Sequence, residues 1–212
     1  MSLEAYILVG GRSSRFAAGD KALAKFNGGT LAEHALETVR SAFPASKIFF
    51  IARDAVQFEQ EAARLGTLYV YDIIENRGPL GGLYTALQNC SSEWIFLFAS
   101  DMPLVTADLL KTLWDKRDDG VGVVLPEQPD GRLQPLCAFY NVANAGPVVE
   151  ALIHRPGPPA AMMAAVDALK PRVIRPSEFD SVPDTVFSNV NTTEDLDTAV
   201  KIKRKLSGTG EI

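Results

Sequence analysis

Five short runs of apolar, β-branched and aromatic residues, Ala5–Val9, Lys47–Ile51, Leu68–Tyr71, Trp94–Phe98 and Val121–Leu125, are separated by segments with helical periodicity. This alternation constrains the fold more than any other feature. A chain that leaves one strand and returns through a helix re-enters the sheet in the same direction, so the spacing predicts βαβ units and a mostly parallel sheet covered on both faces. Leu31, Ala35, Leu36 and Val39 share one helical face after Thr30, a residue type suited to an N-cap. Val56, Phe58, Ala62 and Leu65 mark a second helix that stops at Gly66. A third is predicted from about Pro79 to Asn89 and a fourth from Thr106 to Lys116, with Leu109, Leu110 and Leu113 inward. The uninterrupted run WIFLFA, residues 94–99, suits a central strand.

Past about residue 126 the rhythm changes. A turn at Asp130-Gly131 is followed by a predicted strand Leu133–Tyr140, a helix from about Asn144 to His154 and a Pro-rich loop. A short helix near Ala160–Leu169, a strand near Val173 and a final amphipathic helix Thr193–Leu206 complete the pattern. No long linker divides the chain, so residues 1–206 are expected to form one domain, with 207–212 a disordered tail. Arg155 to Met163 offers a candidate contact surface, and a plain loop leading into a small helix accounts for it equally well.

Composition narrows the partners. The 212 residues carry a formal net charge of −5, which gives no whole-surface attraction for nucleic acid or anionic lipid. Any anion site must be local. No stretch approaches 18 apolar residues, and Met1 leads almost directly into strand-like sequence without a basic leader, so a cytoplasmic protein is expected. Cys90 and Cys137 form neither a CxxC pair nor a disulfide framework and are both expected to be buried small hydrophobes.

In open α/β sheets ligands bind beyond the carboxyl ends of strands. Four stretches lie at such places or beside them. After Leu8 and Val9 the chain breaks into Gly10-Gly11 and then presents Arg12, Ser13, Ser14, Arg15, Gly19 and Lys21. The spacing fits neither the dinucleotide fingerprint nor the P-loop. A tight turn with a solvated edge would carry the same glycines, whereas backbone amides beside two cations form a polyphosphate nest. Asp72 ends another strand, and Gly78-Pro79-Leu80-Gly81-Gly82 then opens a helix, where glycines allow either a flat ligand or tight helix–strand packing. Asp101 follows the most apolar strand, where an unpaired carboxylate is costly. Mg²⁺, which takes one or two carboxylates plus substrate phosphates, suits it, and Thr106 is the more natural cap for the next helix. Asn189 and Asn191 alternate onto one side of an extended segment before Thr192-Thr193-Glu194-Asp195, an imperfect capping box.

Taken in order, these pieces resemble the molybdenum cofactor guanylyltransferase family. The resemblance lies in the loop Leu8 to Ala22, in Pro79-Leu80-Gly81-Gly82, in Ser100-Asp101-Met102-Pro103, in Gln134-Pro135-Leu136-Cys137-Ala138 and in Asn189 to Leu196, and it spans about residues 5 to 200. Departures are Val9 for the usual Ala, Phe16-Ala17 for Met-Gly, and Ile51-Ala52-Arg53-Asp54 where the family carries an asparagine.

The resemblance implies a three-layer, Rossmann-like nucleotidyltransferase fold and transfer of GMP from Mg²⁺·GTP to molybdopterin cofactor with release of pyrophosphate. By the same carry-over, Leu8, Val9, Gly10, Gly11, Lys21, Asp72, Gly81 and Asp101 contact the nucleotide, Asp101 holds Mg²⁺, and Arg15, Lys21 and Asp101 are catalytic. Asn189 and Asn191, two apart on one side of their segment, are expected to reach either the second substrate, the acceptor, or the metal's water shell, and molybdoenzymes or cofactor-handover proteins are the implied protein partners. The attacking phosphate is ionised at neutral pH and needs no general base, which agrees with His34 and His154 lying outside all four stretches. A cytidylyltransferase for the same cofactor, a sugar-1-phosphate nucleotidyltransferase and a non-catalytic nucleotide-binding module are the rival readings. Retention of both Lys21 and Asp101 speaks against the last.

Overall fold

The apolar runs become strands of one seven-stranded sheet in the computed structural model, which describes residues 2–9, 20–52, 55–74, 76–118, 120–179 and 183–206. In chain order the first half comprises β1 (Leu3–Leu8), a small hairpin of β2 (Lys25–Phe26) and β3 (Gly29–Thr30), α1 (Leu31–Ala42), β4 (Lys47–Ala52), α2 (Ala55–Leu65) and β5 (Leu68–Tyr71). Then come α3 (Gly78–Asn89), β6 (Trp94–Ala99), α4 (Ala107–Asp115), β7 (Val123–Pro126) and β8 (Cys137–Asn141). The chain closes with α5 (Val142–His154), α6 (Met162–Ala168), β9 (Arg172–Ile174) and α7 (Thr193–Leu206). Among these helices none is long and apolar enough to cross a membrane.

The strand order is β5-β4-β1-β6-β8-β7-β9. Strands β5, β4, β1 and β6 run parallel, and β9 runs parallel to β7. Only β8 is antiparallel to its neighbours, so the expected mostly parallel sheet is what forms. The predicted strand from Leu133 is shorter than the sequence suggested. Pro135 has no N–H for a ladder, and the Cys137 N–H turns back onto the Gln134 carbonyl at 3.2 Å, so pairing with β6 begins at Cys137. Leu133 keeps a single bridge to Glu127.

Alternation along the strands sorts the core into two faces. Trp94, Phe96 and Phe98 of β6 point into the layer of α1, α2 and α4 with Leu36, Val39, Phe58 and Leu110. Ile95 and Leu97 point the other way, into α3, α5 and α6 with Leu83, Ala86, Val149 and Val166. Every residue of β6 is buried, as its uninterrupted apolar run required. The result is three layers, helix on sheet on helix.

Local signals end and start the helices as expected. Thr30 Oγ1 accepts from the Glu33 N–H at 3.1 Å, while Glu33 returns an oxygen to the Thr30 N–H at 2.6 Å, closing a capping box on α1. Thr106 caps α4 by accepting from the Leu109 N–H. Gly66, at φ +58°, terminates α2 in the left-handed region, with the Thr67 N–H reaching the Ala62 carbonyl at 2.9 Å. The Thr192–Asp195 pair is a full reciprocal box despite its shorter acid. The Asp195 N–H donates to Thr192 Oγ1 at 3.1 Å and the Thr192 N–H donates to Asp195 Oδ2 at 2.9 Å.

A third apolar cluster fastens α7 to the rest. Val190 and Ala199 are buried against Phe26 of the hairpin and Leu31 of α1. The two cysteines separate. Cys137 is fully buried as expected, but Cys90 is only half-buried, because it follows the last turn of α3 and its sulfur accepts from the Ser92 N–H at 3.2 Å. The expected tail at 207–212 lies outside the described residues.

Candidate active site

Register brings three strand ends level. Leu8 pairs with Ile51 of β4 on one side and with Ala99 of β6 on the other. The ladder continues one residue past each end. The Val9 N–H donates to the Ile51 carbonyl at 3.1 Å, Ser100 to Leu8 at 3.2 Å and Asp72 to Ala52 at 3.1 Å. Between β1 and β6 the strand order reverses, because the chain winds outward from β1 through β4 to β5 before α3 returns it to the other side. A crevice at the carboxyl ends is the expected consequence of such a reversal. It is present as a cavity of about 650 Å³, walled by Leu8 and Val9, by Ile51 and Ala52, by Ala99, Ser100 and Asp101, by Asp72 and Asn76, and by the start of α3 at Gly78, Pro79 and Gly82. Asp20, Lys21, Ala22 and Leu136 close it.

One end of the cavity is charged. Lys21 Nζ donates to Asp101 Oδ2 at 2.7 Å and to Asn191 Oδ1 at 2.9 Å, so residues 80 and 170 positions apart meet at one ammonium. Three local devices aim these groups. Asp20 accepts the Ala22 N–H at 3.0 Å and so caps the short 3₁₀ turn Lys21–Leu23 that carries the lysine. The Val190 N–H donates to the Asp101 carbonyl at 2.8 Å, which ties the segment before α7 to the end of β6. Asp195 Oδ2 accepts the Asn191 N–H at 2.8 Å, and that bond, with those from Thr192, holds the Asp195 carboxyl below the usual range.

Asp101 Oδ1 is buried and has no hydrogen-bond partner among the described residues. A buried carboxylate oxygen that faces no donor among the described residues, at the edge of this cavity, fits a hard cation. The described residues contain no cluster of three or more acidic, histidine or cysteine side chains able to cage a metal. A single free carboxylate oxygen is a donor of the kind a hard cation accepts when substrate phosphates and water can complete its shell.

The other end is shaped by α3 and β5. Asp72 Oδ1 accepts a 2.9 Å hydrogen bond from Thr85 Oγ1, and the same hydroxyl accepts from the Ile73 N–H at 3.1 Å. Thr85 is fully buried within the apolar face of α3, so the carboxylate is held from behind. Asn76 and Gly78 both have positive φ, at +60° and +56°, which folds the loop back to start α3 at the cavity wall. At Gly82 a Cβ would stand 2.6 Å from Leu8 Cδ2, so glycine there permits β1 and α3 to close together beside the cavity.

Of the sequence-predicted residues, Leu8, Val9, Lys21, Asp72 and Asp101 are brought together at the cavity. Gly81 is buried behind it, against Ile74 and Arg77, and Gly82 is the glycine on the wall. Asn191 joins Lys21, while Asn189 is exposed without a partner among the described residues. Gly10, Gly11, Arg12, Ser13, Ser14, Arg15, Phe16, Ala17, Gly19, Arg53 and Asp54 lie outside the described residues. His34 does not line the cavity. It packs edge-on against Phe26, and burial lowers its pKa to about 4. Sequence reasoning missed Thr85, whose signal was a lone polar residue within the buried face Leu83–Leu87, and it missed the capping role of Asp20.

A strand-end cleft at a topological switch, with a lysine–aspartate pair at one end, defines an α/β nucleotide-handling protein. Residues 5–172 match the MobA-like NTP transferase domain. A molybdenum cofactor guanylyltransferase from Desulfosudis oleivorans is 31% identical over 195 residues, covering 91% of this chain and 92% of its own. The crystal structure of molybdopterin-guanine dinucleotide biosynthesis protein A from Archaeoglobus fulgidus superposes with a TM-score of 0.76 at 25% identity, covering 95% of this chain and 99% of that one. The chain belongs to the MobA-like NTP transferase family and is a nucleotidyltransferase.

Proposed function

We propose that this nucleotidyltransferase moves GMP from GTP to molybdopterin cofactor and releases pyrophosphate, with Mg²⁺ as its metal. The reading rests on one observation above all, the convergence of Lys21, from the 3₁₀ turn, and Asp101, just past the end of β6, in a chain of this family. The names of the Desulfosudis and Archaeoglobus relatives supply the base and the acceptor.

The chemistry asks little covalent help of the protein. An oxygen of the acceptor's terminal phosphate, already ionised near neutral pH, forms a bond to the α-phosphorus as the bond from that phosphorus to the bridging oxygen breaks. The electron pair leaves with pyrophosphate, so no proton has to be removed and no histidine is needed at the cavity. Positioning and charge neutralisation then carry the rate. Lys21 neutralises phosphate oxygens, Arg15 shares that task, and Asp101 would hold the metal through Oδ1. Mg²⁺ supplies charge neutralisation on the phosphates when bound. Asp72, fixed by Thr85, lies at the opposite end for the nucleoside, the backbone of Leu8 and Val9 lines the path between, and Gly10 and Gly11 are assigned to the nucleotide by the family resemblance alone. Asn189 and Asn191 border the acceptor side, where Asn191 also holds Lys21.

The test is Asp101→Ala, assayed for Mg²⁺-dependent pyrophosphate release from GTP with molybdopterin cofactor. The variant is expected to lose turnover while remaining folded. Turnover like that of the wild type refutes the metal role.

A further inference from the structure

We propose that Lys21 is the resident counter-ion of Asp101 in the nucleotide-free protein and keeps a divalent cation off that carboxylate until a triphosphate draws the lysine away. This rests on the functional reading above and adds an order of binding to it. Lys21 Nζ stands 2.7 Å from Asp101 Oδ2, and the two side chains are only 19% and 21% exposed, so solvent screens the pair less than it would a surface pair.

The contact is built from three directions. The turn that carries Lys21 is capped by Asp20, the backbone of Asp101 is tied to Val190, and Asn191 is fixed through the Asp195 cap of α7. Asn191 Oδ1 takes a second proton of the ammonium at 2.9 Å, and the third has no partner among the described residues. When phosphate oxygens enter the cavity they offer Lys21 stronger, charged acceptors than it leaves. Asn191 retains the ammonium during this exchange and limits how far it moves.

A cation arriving alone meets a different site. Asp101 has one oxygen already neutralised by an ammonium, and the cation must approach Oδ1 against that like charge. A triphosphate removes the obstacle and contributes ligands, so nucleotide and metal each tighten the other. The coupling is reciprocal by thermodynamic necessity.

The experiment uses Mn²⁺ as the probe, with unbound Mn²⁺ counted by electron paramagnetic resonance in titrations of the full chain without nucleotide. Lys21→Met, which keeps the aliphatic stem and removes the charge, is expected to bind Mn²⁺ at least about tenfold more tightly than the wild type. The double variant Lys21→Met/Asp101→Asn should lose that gain. Circular dichroism melts establish that each variant is folded. Affinities of Lys21→Met and wild type within twofold of each other, including no measurable binding by either, overturn the proposal. A separate arm measures GTP affinity with Mn²⁺ and then with chelator. If Asp101→Asn abolishes the Mn²⁺ enhancement while Lys21→Met shows no gain, only the counter-ion role fails. If Asp101→Asn keeps the full enhancement, the metal assignment fails with it.

Discussion

Replacing Thr85 with valine probes how the Asp72 end of the cavity is held, the end proposed for the nucleoside. Valine copies the branched shape, so no cavity opens and the χ1 restriction in α3 is unchanged. Two hydrogen bonds disappear. One is the 2.9 Å bond to the Asp72 carboxylate, of a kind worth roughly 1.5–3 kcal/mol, and the other is the 3.1 Å bond from the Ile73 N–H, worth roughly 1 kcal/mol. Asp72 borders the open cavity and can recruit water there, so the net loss should fall near the lower part of that sum, about 2–3 kcal/mol. Asp72 then swings more freely, and its contribution to nucleotide binding weakens by about 1–2 kcal/mol, a rise of roughly 5–30-fold in KM for GTP with a smaller change in kcat. Thr85→Ser keeps both bonds and removes one methyl, at about 1 kcal/mol of stability, and should restore KM. Urea unfolding with constant m-value and the GTP dependence of pyrophosphate release measure the two effects. If valine costs less than about 0.5 kcal/mol, or if serine raises KM as much as valine does, the positioning role is wrong.

Lys21→Ala should cost roughly 2–4 kcal/mol of transition-state stabilisation, about 30- to 1000-fold in kcat/KM, and a loss of tenfold or less would contradict its phosphate role. Gly82→Ala forces a methyl toward Leu8 Cδ2, so roughly 1–3 kcal/mol of stability should be lost and KM for nucleotide should rise as Leu8 shifts into the cavity, both read from melts and steady-state kinetics. Asp195→Ala removes the cap that fixes Asn191 and Thr192 and should destabilise by about 1 kcal/mol at neutral pH. Hydrogen bonds from Asn191 and Thr192 lower the Asp195 pKa in the folded protein. Its stabilisation is therefore complete above the unfolded value near 3.9 and disappears as pH falls through the lower folded value, so denaturation midpoints of variant and wild type should differ at neutral pH and converge only once pH has fallen below that folded value.

Much of the architecture was legible because it depends on patterns that act locally. The apolar run of β6 announced a strand covered on both sides, Thr30 and Thr106 announced helix starts, and Gly66 announced a stop. The strand from Leu133 was misjudged because apolar residues flanking Pro135 look continuous, while backbone donors decide where a ladder can begin. At the site, Lys21, Asp72 and Asp101 stood out as charges at strand ends. Asn191 stood out as well, but its contact with Lys21 did not, because the two lie 170 residues apart and only the docking of α7 through Val190 and Ala199 brings them together. Thr85 was hidden for a related reason: a hydroxyl in a buried helical face has meaning only once the strand end opposite it is known.

Purified protein incubated with Mg²⁺, molybdopterin cofactor and GTP, CTP or ATP in parallel, with products identified by mass spectrometry, decides what the cavity does. The proposed function predicts a molybdopterin–GMP adduct and one pyrophosphate per adduct from GTP, with turnover from CTP or ATP lower by about 10²-fold or more. A CMP adduct as the dominant product, nucleotide transfer to a sugar phosphate, or GTP bound without any transfer would contradict the assignment.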